Sequence, residues 1–242
     1  MAAIIHANSL LRSFPEVDAT SVGVTGISWG GYLTSLVAGV DPRFNFAIPV
    51  YGCGFVHEGT SWNHLIDEYG RERWVSLWDP SSHLQGAKMP MLWVTGTNDG
   101  HYHLPLFQKS YRLPAGPRSL AVRVRMEHSH PAGWAPAEIY AFAKAMVGRG
   151  EPLIELATLE TVDARASVEY RAPNDVAVRS AELNFTTDGG PWIDREWKTV
   201  KATIETPTSR VVAKVPADAT ACYFNLIDSR GLLSSSEHEK LR

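Results

Sequence analysis

Residues 21–32 run Ser21-Val22-Gly23-Val24-Thr25-Gly26-Ile27-Ser28-Trp29-Gly30-Gly31-Tyr32. Within this stretch Gly26-Ile27-Ser28-Trp29-Gly30 has the form G-x-S-x-G. The preceding Ser21 to Thr25 alternates like a short β-strand, and the run from Gly31 to Ala38 reads as the start of a helix. A strand-to-helix turn is the setting in which this motif becomes a nucleophile elbow rather than a string match. Small residues at Gly26 and Gly30 are expected to let the strand and helix backbones approach without Cβ clashes. A serine held on such a turn points its hydroxyl out of the sheet, and the first helical N–H groups face any oxyanion that forms beside it.

Outward from this turn, residues 1–150 alternate between helical and strand patterns. A helix is expected over 2–14, where Ala3-Ile4-Ile5, Ala7, Leu10-Leu11 and Phe14 recur at helical spacing. After the elbow helix come strands at Phe46–Tyr51, Met91–Thr95 and Leu120–Met126, and helices at Leu104–Tyr111 and Pro136–Val147. Such alternation predicts a mostly parallel sheet flanked by helices. Residues 52–88 interrupt it with an insertion rich in aromatics (Trp62, Tyr69, Trp74, Trp78), expected to form a lid. The run Gly148-Arg149-Gly150-Glu151-Pro152 marks a boundary. Beyond it, over 151–242, short strand-like runs at 167–170, 181–186, 211–215 and 221–227 are separated by turn signals, which predicts an all-β, sandwich-like domain.

A serine hydroxyl needs an adjacent base, and the base needs an orienting acid. Asp99 follows the third strand in Val94-Thr95-Gly96-Thr97-Asn98-Asp99, and His128 and His130 follow the fourth in Met126-Glu127-His128-Ser129-His130-Pro131. Loops at the carboxyl ends of parallel strands share one edge of a sheet, so these side chains can converge on Ser28. Asp99 has a second reading, as the brace of a turn beside Asn98. Tyr51 and Cys53, just after the second strand, are read as structural. His101 with His103, and His128 with His130, form two H-x-H pairs, but no metal site is expected from them.

The combination of GISWGG, GTNDG and HSHPAGW resembles the acetyl xylan esterase and dienelactone hydrolase branch of the α/β-hydrolases, near the prolyl oligopeptidase-type hydrolases. The resemblance covers about residues 1–147. It implies an α/β fold with a truncated hydrolase core, because only the later strands of the family's sheet have counterparts here. It implies Ser28 as nucleophile, Asp99 as acid and His130 as base, with His128 the alternative, and it implies no cofactor. The implied substrate is a small ester of an acetyl or other short acyl group, carbohydrate esters among the candidates, with a prolyl oligopeptidase-type peptidase or a non-catalytic binding module as alternatives. The backbone N–H of Trp29 would be one oxyanion donor. The relatives' second donor lies on an H-G-G-like loop that has no counterpart before Ser28, so another segment or subunit supplies it or turnover is poor. The β-rich part, with Thr187-Asp188-Gly189-Gly190-Pro191-Trp192 and Asp228-Ser229-Arg230-Gly231, resembles the extension on some PhoPQ-activated pathogenicity-related proteins. A core without its earlier strands would leave the elbow strand as an open sheet edge, and a homodimer is expected to cover it.

Composition sets the remaining bounds. Charged residues make up 20% of the 242 and the formal net charge is −3, with no basic cluster, so no nucleic-acid surface is implied. Cys53 and Cys222 are the only cysteines, too few for a disulfide framework or a zinc ligand set. No apolar run is long enough to span a bilayer and no signal peptide is evident, so as given the chain is expected in the cytoplasm with no membrane partner.

Overall fold

The computed structural model describes residues 1–59 and 62–241. Residues 60 and 61 of the expected insertion and residue 242 of the β-rich part lie outside the described residues.

The first half of the chain builds a four-stranded parallel sheet in the simple order β1 (Val24–Ile27), β2 (Ala47–Val50), β3 (Met91–Gly96), β4 (Arg118–Arg123). The central strands β2 and β3 are buried along their whole length, as their unbroken apolar runs require in a sheet covered on both faces. Helix α1 (Ala2–Leu11) precedes β1, and α2 (Trp29–Val40) joins β1 to β2. The link from β2 to β3 carries α3 (Asn63–Glu68), α4 (Arg71–Trp78) and two 3-10 turns. Helix α5 (Leu104–Tyr111) joins β3 to β4, and α6 (His130–Trp134) and α7 (Ala137–Met146) follow. Helix α1 is held by polar contacts: Asn8 Nδ2 donates to Asp41 at 3.0 Å, and Arg43 bonds both Asp41 and the Ser9 hydroxyl. No helix among the described residues is long and apolar enough to cross a membrane.

Two expected strands change place. The first starts at Val24 rather than Ser21, because pairing begins where Val24 N–H reaches the Phe46 carbonyl, and it runs into the elbow through Ile27. The fourth ends at Arg123 rather than Met126, because Arg125 takes a φ of +51° and turns the chain into a loop. The outer edge of β1 pairs with no strand among the described residues. It is the open edge that the sequence reading expects a second copy to cover.

The second half is antiparallel. One sheet has the order β10 (Thr203–Glu205), β11 (Arg210–Lys214), β7 (Arg165–Arg171), β5 (Glu155–Leu156), with β6 (Glu160–Val162) also on β7. The other has the order β13 (Leu233–Ser235), β12 (Ala221–Asp228), β8 (Val178–Thr186), β9 (Trp197–Lys201), with β14 (Glu239–Lys240) also on β12. Val168 and Val211 of the first meet Leu183, Phe185, Phe224 and Leu226 of the second in one core, the packing of a sandwich.

The β12–β13 region closes the free edge of β4. Val122 N–H donates to Ser235 Oγ at 2.8 Å, and Asn225 Nδ2 donates to the Val122 carbonyl at 3.1 Å. Leu104 and Val122 pack with Trp197 and Tyr223 alongside. Replacing Ser235 with Ala leaves a buried N–H without its acceptor and is expected to cost about 1–3 kcal/mol of stability, read by denaturant unfolding.

Candidate functional site

Ser28 stands between β1 and α2 with φ 56° and ψ −117°, a backbone conformation that an L residue adopts only when its surroundings over-determine it. Those surroundings are crowded. A Cβ on Gly26 would lie 2.5 Å from the Gly30 carbonyl carbon, and one on Gly31 would lie 2.3 Å from the Val50 carbonyl oxygen. The expected role of Gly30 is not seen, since a Cβ there would meet nothing within 4 Å. It is Gly31, one residue beyond the motif, that lets α2 sit down on β2. Ser28 N–H donates to the Val50 carbonyl at 3.0 Å, and the Ser28 carbonyl accepts from Tyr32 N–H at 2.9 Å. Trp29 opens the helix, so its N–H has no intrahelical acceptor.

His128 Nε2 lies 2.7 Å from Ser28 Oγ, and His128 Nδ1 lies 2.7 Å from Asp99 Oδ2. His130, the residue expected as base, makes neither contact. Ser129 caps α6, accepting from Ala132 N–H at 3.2 Å, with Pro131 in the first turn; His130 is therefore the exposed first residue of a helix. His128 is the last histidine left in the loop. That signal was present in Ser129-His130-Pro131, since serine is a preferred N-cap and proline a preferred first-turn residue.

Asp99 makes two sets of contacts with different oxygens. Its Oδ1 accepts from His101 N–H and Tyr102 N–H, each at 2.8 Å, while Oδ2 faces the histidine. The carboxylate is buried, with both of its oxygens engaged by these contacts. No group of three or more metal-ligating side chains exists among the described residues, and the H-x-H pairs do not converge on one.

Tyr51 has a larger part than the sequence suggested. Its hydroxyl donates to the Glu127 carbonyl and lies 3.4 Å from that of Ser129, the two residues that flank His128. Its ring lies against the imidazole at 4.5 Å between centroids. Burial pushes the phenol up to about 12, so it stays a neutral donor over the working range of a protein.

Trp29, the residue after the serine, lines an apolar pocket of about 240 Å³ together with Val56, Trp62, Leu65, Ile66, Tyr69 and Trp74. Trp62 and Tyr69, which flank α3, and Trp74 of α4 form the aromatic part of this wall, while Leu65 and Ile66 come from α3 itself. Trp29 stacks on Tyr32 at 4.4 Å, and Trp62 approaches His101, whose ring stands 4.8 Å from that of His128. The buried Asp79 carboxylate anchors the rim, accepting from the N–H groups of Phe55, Val56 and Ser81.

A serine on a strained strand-helix turn, with a parallel sheet behind it and an acid and a histidine on the next strand-end loops, defines the α/β-hydrolase fold. A model of the prolyl oligopeptidase family matches residues 4–145, more than half of the chain, and the chain belongs to that serine-hydrolase family. Among solved structures, an acetyl xylan esterase from Paenibacillus sp. is 22% identical with a TM-score of 0.51, over 60% of this chain and 51% of that one. An acetyl xylan esterase from Thermoanaerobacterium sp. is 19% identical with a TM-score of 0.50, over 58% of this chain and 50% of that one. A puromycin-hydrolyzing peptidase of Mycobacterium tuberculosis is 20% identical with a TM-score of 0.50, over 61% of this chain and 25% of that one. These are likenesses of fold, and the chain spans about half the length of the two esterases. No curated protein matches the sequence.

The two glycines after the serine are separable by experiment. Gly31→Ala is expected to destabilise by about 3 kcal/mol through overpacking. Gly30→Ala is expected to hold or gain up to about 1 kcal/mol from helix propensity. Thermal melting of the two variants tests the contrast.

Proposed function

We propose that the protein is a serine hydrolase that cleaves carboxylic esters of short acyl groups, with Ser28 as nucleophile, His128 as general base and acid, and Asp99 as the orienting carboxylate. The observation that carries this reading is the pair of 2.7 Å contacts that the one imidazole makes with Ser28 Oγ and Asp99 Oδ2. Ser28 Oγ attacks the ester carbonyl carbon as its proton passes to His128 Nε2. Asp99 accepts from Nδ1–H, which fixes the tautomer that leaves Nε2 basic and stabilises the imidazolium that forms. The Trp29 N–H faces the oxyanion, one donor of the hole. His128 then protonates the leaving alkoxide, the acyl group stays on Ser28, and a water activated by His128 releases it.

Ser28→Ala and His128→Ala are each expected to lower kcat on a short aryl ester by roughly 10⁴-fold or more. His130→Ala is expected to stay within a few-fold of the unmodified protein. A fluorophosphonate, which reacts only with an activated serine, should label the unmodified protein and His130→Ala but neither of the other two. An unlabelled Ser28 in folded protein would leave a non-catalytic binding module.

One observation favours a second reading, a peptidase of the prolyl oligopeptidase type. The pocket that Trp29 lines is apolar and aromatic, and at about 240 Å³ it exceeds what an acetyl group fills. A ring or a branched side chain bound there would bury apolar surface worth about 1.5–3 kcal/mol. The two readings part on kcat/KM for an aryl acetate against an aminoacyl arylamide carrying an aromatic side chain. The ester reading expects the acetate to be cut faster, with Trp74→Ala changing its KM little. Faster cleavage of the amide, with Trp74→Ala raising its KM about tenfold, would establish the peptidase.

A further inference from the structure

We propose that the β-rich half of the chain braces the triad through Asn98, which clasps the turn 191–195 and thereby holds the Asp99 carboxylate on His128. The inference rests on the serine-hydrolase reading above and assigns a positioning residue to it.

Asn98 precedes Asp99 directly. Its Nδ2 donates to the carbonyls of Ile193 and Arg195, both at 2.8 Å, with the Trp192 carbonyl at 3.4 Å. An amide nitrogen carries two hydrogens, so its whole donor capacity goes to a segment about a hundred residues away. An asparagine that merely braces a turn bonds its own neighbours instead. On its other side Asn98 Oδ1 accepts from Thr97 Oγ1 at 2.6 Å, and Thr97 Oγ1 accepts from Arg125 N–H at 3.0 Å. The clasp therefore extends into the loop that carries His128 three residues later. Ile193 adds a steric contact, since a Cβ on Gly100 would lie 2.6 Å from its Cδ1.

The clasped turn is itself stiff. The Arg195 guanidinium lies 3.9 Å above the Trp192 ring, and Arg195 Nε donates to the Gly190 carbonyl at 3.0 Å. Trp192 packs against His238 and Trp197, and Glu196 N–H donates to Asp188 at 2.6 Å. The acid loop is thus gripped at two successive residues. Distant carbonyls hold Asn98, and the N–H groups of His101 and Tyr102 hold Asp99. A displacement of the carboxylate by about 1 Å is enough to cost on the order of 10²-fold in rate.

The test uses the full chain with Asn98→Asp, which keeps the shape and removes both donors, and Arg195→Ala, which loosens the turn from the far side. Val211→Ala, in the core of the other antiparallel sheet, is the control for general destabilisation. Three quantities are measured: kcat and KM on an aryl ester, the melting temperature, and the far-downfield proton resonance of the His128 Nδ1–H held by a carboxylate. The expected result is a kcat lower by roughly 10–100-fold in both clasp variants with KM within about twofold, and loss of the downfield resonance. Val211→Ala should lower the melting temperature with kcat and the resonance intact. Unchanged kcat and resonance in the clasp variants, or equal losses in Val211→Ala, would overturn the clasp. If Asn98→Asp does not fold, Arg195→Ala decides. If the unmodified protein is neither labelled by a fluorophosphonate nor active on ester, the hydrolase reading has failed, and the proton resonance still decides whether the clasp holds Asp99 on His128.

Discussion

The imidazole of His128 spans the gap between a hydroxyl and a buried carboxylate, and much of the structure fixes the three groups that meet there. Each arrives from a different strand end: Ser28 after β1, Asp99 after β3, His128 after β4. A hydrogen-bonded chain of this kind tolerates little slack, because its donors and acceptors must stay within a few tenths of an ångström and in line. The protein therefore holds each member twice over. Ser28 is locked into a left-handed backbone by the β2 and α2 backbones, Asp99 by two N–H groups on its second oxygen, and His128 by the Tyr51 hydroxyl on the neighbouring carbonyls.

The β-rich half belongs to the same mechanical unit. Its sheet edge caps β4 through Ser235 and Asn225, its buried Trp197 and Tyr223 pack on Leu104 and Val122, and its turn at 191–195 receives Asn98. Glu138 ties the last helix of the first half to the same region, accepting from Leu233 N–H at 2.6 Å while it pairs with Arg123. A four-stranded sheet has two edges that need partners. In this fold one of them is covered by the β12–β13 region, and the other, along β1, pairs with no strand among the described residues.

The insertion between β2 and β3 gives the site its shape. Short helices of six and eight residues are too short to be stable alone, and Leu65 and Ile66 of α3 and Trp74 of α4 gather with Trp29 and Val56 around one apolar pocket. That same face forms the pocket wall, so packing and substrate contact fall on one set of side chains.

Local signals in the chain were enough for the parts that depend on neighbours in sequence. The elbow at Ser28, the alternation of strands and helices, the helix over Leu104–Tyr111 and the change to antiparallel strands after residue 150 all follow from spacing, turn residues and apolar periodicity. Asp99 was legible because a strand end placed it. The contact of His128 rather than His130 with Ser28 also had a local signal, the Ser129 cap and Pro131, which put His130 in the first turn of α6 and leave His128 in the loop. Gly31, Tyr51 and Asn98 lay further out of reach. Their partners, Val50, Glu127 and Ile193, are distant in the chain, and no pattern along a strand or helix encodes a contact that exists only once separate elements have packed.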